Sequence, residues 1–439
     1  MPEIASAHFR ATPSRPGGSR RRAGAAAAAV AGAMVLAACG SGGSSSSGGK
    51  PTINFYSFPD GSGAVQQAVD TCSKASGGRY TIKYNKLPND ADGQRQQLVR
   101  RLAAHDKAMD ILGLDVTWAP EFAEAGWIRE WTGANKQKAS EGTLKVPLET
   151  ATWKGKLYAV PYNSNTQLLW YRSDLVPTPP KTWDEMLAMS AKLKKEHKPS
   201  LIQIQGKQYE GVVVWFNSLL ASAGGSVLNP DATKVELGPP AVQALTIMKR
   251  VATSPGADPS LAVQQEDQNR LAMEAGTSAF ELNYPFVYPS MKENQPKLFK
   301  NFKWALYPRV KPDVPSRVTI GGINMAISSY SRHPDLAFEA ALCMRNRENQ
   351  KIAANKGGLP PTLSALYDDP SLQAAYPFRK DIQTALNNAS VRPMTPAYQN
   401  LSIVISKLVS PPSKINPPST EKSMKSQLED ALASKGLVP

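Results

Sequence analysis

The 439-residue chain is poor in the side chains that do most enzymatic chemistry: it has four histidines and three cysteines. So few rule out a Cys/His metal framework and a disulfide-dense scaffold. His8 falls in an N-terminal leader, and His105, His197 and His333 sit in polar helix or turn contexts, so a Ser-His-Asp triad lacks a base. Neither Gly-x-x-x-x-Gly-Lys-Ser/Thr nor His-Glu-x-x-His occurs, which leaves out the common phosphate loop and the zincin helix. No cofactor or metal is implied, and no enzymatic activity is favoured. A glycosidase needs only two carboxylates, and Asp115 and Glu266 are of the right type. A saccharide-binding cleft needs the same groups as hydrogen-bond acceptors, and nothing in the sequence brings the pair within reach of each other.

Long hydrophobic runs are scarce too. Ala23 to Ala38 is sixteen uncharged residues, mostly alanine, short of the roughly 20 that span a bilayer. After Cys39 no segment approaches that length. Five arginines precede the run (Arg10, Arg15 and Arg20–Arg22), the order of a secretory signal. The run ends Leu36-Ala37-Ala38-Cys39, which resembles a lipobox, where small residues fit a peptidase groove and the cysteine thiol is diacylated. The alternative is a plain export signal with an incidental cysteine. Gly40–Gly49 (GSGGSSSSGG) follows, a stretch that buries nothing and behaves as a flexible coil. The expectation is therefore a leader over 1–38, a lipidated Cys39 with a tether over 39–50, and a folded body held on the outer face of a membrane.

That reading reduces the formal charge. The whole chain carries +15, from 51 basic and 36 acidic residues; without the five arginines and one acid of 1–38 it carries +11 over 401 residues. No run of five like charges exists after Cys39, so the charge reads as solvated surface, not as a nucleic-acid face.

What the body does have is alternation of strand-like and helical segments. Residues 52–58 read as a strand, 63–76 as a helix with Val65, Ala68, Val69 and Cys72 on one face, 80–87 as a strand, 94–107 as a helix, 109–116 as a strand and 119–126 as a helix. The order implies an α/β fold with a mostly parallel sheet. Strands are expected again near 157–162, 166–171, 279–284, 303–307 and 318–328. Helices are expected over 211–223, 240–253 and 266–275, and Thr182-Trp183-Asp184-Glu185 looks like a capping box opening a helix to about 196. A chain this long divides into two lobes, and ligands in open α/β sheets sit beyond the carboxyl ends of strands. The residues just after strands are Asp60, Asp115, Asn163, Asn165, Tyr284 and Asn324, with Trp118 and Trp215 close in sequence. Carboxylates and amides that satisfy hydroxyls, aromatic faces that cover C–H patches and no cluster of Arg and Lys suit a neutral polyol. Trp127, Trp131, Trp170 and Trp183 read as core.

Several segments resemble those of maltose-binding-type solute receptors: Leu175–Met186 (LVPTPPKTWDEM) the start of their second lobe, Ala279–Phe286 (AFELNYPF) the return crossing, and Gly321–Met325 (GGINM) the third crossing. Leu114–Trp127, Asn165–Arg172, Val213–Leu228, Thr253–Pro259 and Val391–Tyr398 make the mature chain similar, over nearly all of 51–439, to the trehalose-binding lipoproteins of mycobacterial-type ABC importers. The resemblance implies a type II periplasmic-binding-protein fold, with 51–163 plus 285–326 as the first lobe and 164–284 plus 327–439 as the second. It implies a monomeric receptor for a disaccharide, with an ABC permease and its cytoplasmic ATPase as partners. The implied ligand residues are Asp115, Asn165, Glu266 and Arg392, with Asn163 and Gly322 at the crossings. The family's stacking Trp is replaced by Tyr284, which leaves trehalose, a close analogue or another oligosaccharide such as maltose as ligands. Cys72 and Cys343 remain, either as a disulfide, as is frequent in exported proteins, or as two buried thiols.

Overall fold

A computed structural model describes residues 49–433; the expected leader, Cys39 and nearly all of the Gly/Ser tether lie outside the described residues. Two sheets organise the body. The first has five strands in the order Thr81–Lys86, Thr52–Ser57, Ile111–Asp115, Gly321–Ile327, Ala159–Asn165. The second has four, in the order Phe302–Ala305, Leu168–Arg172, Ser278–Asn283, Leu201–Gln203.

The expected parallel pairing is found among the first three strands in the chain. Elsewhere these sheets are antiparallel except where Leu201–Gln203 meets Ser278–Asn283. Parallel neighbours need a crossover of a dozen or more residues. The chain leaves Ala159–Asn165 in the first sheet and enters Leu168–Arg172 in the second after two residues, so the strands that carry it between sheets lie against their neighbours in the opposite sense.

Each sheet has its own core. Ile53, Phe55, Leu98, Ile111, Leu114 and Trp131 are buried around the first. The second is covered on both faces. Phe280 and Leu282 point into a cluster with Trp183, Trp215 and Leu219, and the opposite face packs Leu168, Trp170, Met273, Phe302 and Phe378. The helix Glu210–Ser222 is buried along its whole length, as its nearly continuous apolar sequence requires. Thr182 caps the helix Trp183–Lys195 as anticipated, its hydroxyl accepting from the Glu185 amide at 3.1 Å. Trp118 and Trp215, placed near the cleft by their sequence neighbours, are core residues: Trp118 stacks on Phe122 at 6.1 Å and Trp215 on Trp183 at 6.3 Å.

The chain divides between the lobes differently from the expected boundaries. Phe302–Ala305 pairs with Leu168–Arg172 in the second sheet, so 285–326 is not a first-lobe block. Conversely, the helix Pro334–Met344 gives Ala337, Phe338, Ala341 and Met344 to the first core, and Lys356 bonds Gln67 of the first lobe at 3.1 Å. The crossing at Gly321–Ile327 delivers the chain into the first lobe, and it stays there through Arg347–Gly357. From Leu366 and Tyr367 onward it packs on the second sheet. A disulfide joins Cys72, on the helix Ala64–Ala75, to Cys343 on the returning helix.

Candidate functional site

Between the lobes lies a cavity of about 700 Å3, inside the roughly 300–1,000 Å3 range of small-molecule sites. The amino ends of three helices border it. Asp60 follows the strand Thr52–Ser57 and accepts from the amides of Ser62 at 2.9 Å and Val65 at 2.8 Å, which anchors the start of Ala64–Ala75. Asp90 caps Ala91–Ala103 through the Gly93 amide at 2.9 Å. Glu266 is the first residue of Glu266–Glu274, whose Gln265 and Gln268 form a reciprocal capping box. Helix amino ends favour carboxylates, and all three acids line the cavity.

Three of the anticipated ligand residues line this space: Asn165, Glu266 and Tyr284. The crossings bring them together. Gly321 pairs with Asn165 across the first sheet, and a Cβ added to Gly321 would sit 3.8 Å from the Tyr284 hydroxyl. Asn165 Oδ1 is buried without a hydrogen bond among the described residues. Burial raises the pKa of Glu266, against the pull of the helix amide and of the Tyr209 hydroxyl. Burial and the neighbouring Glu266 raise that of Tyr284, which therefore remains a hydroxyl donor.

Asp115 and Arg392 meet each other instead. Arg392 reaches Asp115 at 3.1 Å, and its other terminal nitrogen pairs with Glu210, which also accepts from Tyr398 and Ser402. Asp115 ends a first-sheet strand and is further held by the Thr117 amide at 3.0 Å and hydroxyl at 2.8 Å. Glu210 opens a second-lobe helix, so this chain of charges joins the lobes, as does Gln399 donating to Asp92 at 3.0 Å. Burial opposes the charge of Arg392, but Asp115, Tyr398 and Glu210 more than offset it and its pKa is raised.

Asn163 and Gly322 do not line the cavity. Asn163 is buried, donating to the Ser164 carbonyl at 3.0 Å. Gly322 has φ +129°, and a Cβ there would meet Asn163 O at 2.4 Å and Ser164 Cα at 2.8 Å, just before the register shift at Ile323/Asn324. The position needs glycine for backbone approach. Gly322→Ala is expected to cost roughly 2 kcal/mol or more, read as a lower urea midpoint; an unchanged midpoint would show that the strands yield there. Asn324 is likewise internal, donating to Thr150 at 3.0 Å.

Cavity residues that sequence reasoning did not single out include Asn89, Asp90, Asp267 and Arg270. Asn89-Asp90 follows a strand and precedes a helix, a detectable N-cap signal; Arg270 had none. Glu210, in a run that reads as apolar helix, was also missed.

The family model described as bacterial extracellular solute-binding protein matches residues 57–351. A probable ABC transporter-binding protein of Deinococcus radiodurans is 27% identical over 352 residues, covering 76% of this chain and 82% of that protein. Among solved structures, maltose-bound MalE3 of T. maritima is similar with a TM-score of 0.79 and 25% identity, over 86% of this chain and 99% of the other. The GacH receptor of Streptomyces glaucescens, solved unliganded and with acarbose, is similar in fold with a TM-score of 0.77 at 20% identity, over 88% and 99%. The architecture is that of the two-lobed type II periplasmic binding proteins.

Proposed function

The chain belongs to the bacterial extracellular solute-binding protein family, and from that premise we propose that its cleft captures a neutral disaccharide, trehalose or a close analogue, for an ABC permease. The observation that carries this reading is the character of the cavity wall. Asp60, Asp90, Glu266, Asp267 and Glu293 line it against two cations, Arg270 and Lys356, and Arg270 is already paired with Asp267 and Glu274. Such a wall repels phosphates and carboxylates, while its acceptors, amides and Tyr284 suit hydroxyls and a sugar ring. Asn165 Oδ1, on the cavity wall, finds no partner among the described residues; a buried polar group left so costs about 1–3 kcal/mol, which a ligand hydroxyl would return.

Contacts from both lobes favour the closed cleft because neither lobe alone satisfies the sugar. Asp60 and Asp90 serve from the first lobe, Glu266 from the second, and Asn165 and Tyr284 from the crossings, while Asp115 and Arg392, paired at 3.1 Å, tie the lobes together. The receptor works as a monomer tethered through a diacylated Cys39, and the permease and its ATPase are separate chains.

A second reading, a maltose-type oligosaccharide, is favoured by Tyr284 standing where the trehalose-binding relatives carry Trp, and by the likeness to a maltose-bound protein. A thermal-shift screen of disaccharides separates the two. A ligand at a hundred times its Kd stabilises by about 2.7 kcal/mol; the largest shift is expected with trehalose, and a shift with maltose alone favours the second reading. Glu266→Ala is expected to weaken sugar binding about tenfold or more, the loss of one charge-assisted hydrogen bond. Calorimetry showing unchanged affinity would remove Glu266 from the site.

A further inference from the structure

Glu281 lies inside the strand Ser278–Asn283 with no exposed surface. Trp170 and Gln203 are its partners on the adjacent strands. Its Oε1 accepts from Asn283 Nδ2 at 2.7 Å, and its Oε2 has no hydrogen-bond partner among the described residues. The same Asn283 amide makes two further bonds. Its Nδ2 donates to the backbone carbonyl of Glu266 at 2.9 Å, and its Oδ1 accepts from the Tyr284 amide at 2.8 Å. One side chain thus ties a buried carboxyl to Glu266 and Tyr284, which both line the cavity.

We propose that Glu281 and Asn283 are positioning residues of the cleft, and that the protonation of Glu281 sets the affinity of the site; this rests on the cleft being the ligand site. The groups on this side of the sheet are few. The helix Glu266–Glu274 presents Arg270 and Glu274, bonded to each other at 2.9 Å. Beyond Trp170 the neighbouring strand presents Arg172, paired with Asp174 at 2.6 Å. On the other side, Gln203 donates to Asp258 at 2.7 Å. The helix Val287–Asn294 presents Tyr288, packed on Trp170 at 6.0 Å, and Ser290 and Asn294, bonded to Glu274. None of these hydrogen-bonds to Glu281.

Burial pushes the Glu281 carboxyl up to about 8; the Asn283 bond and Arg270 lower it and Glu274 raises it. The neutral acid therefore dominates at neutral pH, and ionisation places a charge with an unpartnered oxygen behind the cleft floor. Ionised Glu281 draws the Asn283 side chain to itself, away from the Glu266 carbonyl and the Tyr284 amide; a bound sugar favours the form in which those two residues are held, so the bound form has the higher pKa. The protonated protein then binds more tightly, with full affinity below about pH 8 and a loss as pH rises through it.

The test is calorimetry with trehalose and with maltose on wild type, Glu281→Gln and Asn283→Ala between about pH 7 and pH 9.5, together with hydrogen exchange of the ligand-free proteins, corrected for intrinsic rates. A difference of one unit between free and bound pKa gives a wild-type loss of about tenfold over that range. Glu281→Gln, isosteric with the neutral acid, should stay flat, and Asn283→Ala should bind more weakly at every pH. Peptides covering Glu266–Arg270 and Tyr284–Val287 should lose protection at high pH in wild type and keep it in Glu281→Gln. A wild type flat in both readouts, or Glu281→Gln following the wild-type profile, overturns the proposal. If neither sugar binds while the exchange difference tracks Glu281, the positioning role stands and the disaccharide reading falls.

Discussion

Arg392→Ala is expected to destabilise the protein by about 3–5 kcal/mol, because it leaves buried carboxylates without their cation. Arg392 is 2% exposed and serves both Glu210 and Asp115. Without it, Glu210 keeps only the Tyr398 and Ser402 hydroxyls, deep in the second lobe. Asp115 keeps only Thr117. The penalty is mostly that of the orphaned acids, so Arg392→Met combined with Glu210→Gln should recover a good part of it, since apolar replacement of a buried pair is often nearly neutral. Urea unfolding of the single and double variants measures both. A single variant as stable as wild type would mean that water reaches Glu210. The same substitution cuts a bridge between the lobes, so sugar affinity should fall about tenfold or more, and the double variant should recover stability without recovering affinity. Recovery of both would show that the charge acts only on the fold.

Loss of the Cys72–Cys343 bond is expected to cost about 2–5 kcal/mol, the usual effect of removing a native disulfide from an exported domain. The two cysteines are 271 residues apart in the chain, so the bond closes a loop holding the whole second sheet. It also pins the returning helix Pro334–Met344 to the opening helix of the first lobe. Cys72→Ser with Cys343→Ser should lower the urea midpoint, and dithiothreitol should lower the wild type's to match. Sugar affinity should change by less than about threefold at temperatures where both proteins are folded, because Cys72 lies two turns from the cavity end of its helix. A variant of undiminished stability would show that packing of Ala337, Phe338 and Met344 alone holds that helix.

These two sites mark where the sequence stops being legible. Local periodicity placed the strand Thr52–Ser57, the helix Ala64–Ala75 and the Thr182 cap, because each is set by neighbours within a few residues. The positions after strands led to Asn165 and Tyr284, since a strand's end is itself a local signal. Asp115 was legible in the same way, but Arg392 came forward only through a family resemblance, and their pairing is invisible along a chain that separates them by 277 residues. Glu281 is hidden for another reason. It occupies an alternating strand, Ser278–Asn283, at a place where the partner face is buried, so a polar letter reads as a solvent-facing one. The lobe boundaries were missed because Gly321–Ile327 belongs to the first sheet, and which lobe a crossing enters depends on pairing, not on the crossing's own residues. Trp118 and Trp215 show the converse: they stand close in sequence to candidate ligand residues, while their own rings complete cores.

The most direct test of the central claim is calorimetric titration of trehalose into the wild type and into Glu266→Ala, with the mixture then assayed for free glucose. Saturable one-to-one binding by the wild type, at least about tenfold weaker binding by the variant and no glucose are the predicted result. No heat from trehalose or any other neutral disaccharide, or the release of glucose, would contradict it.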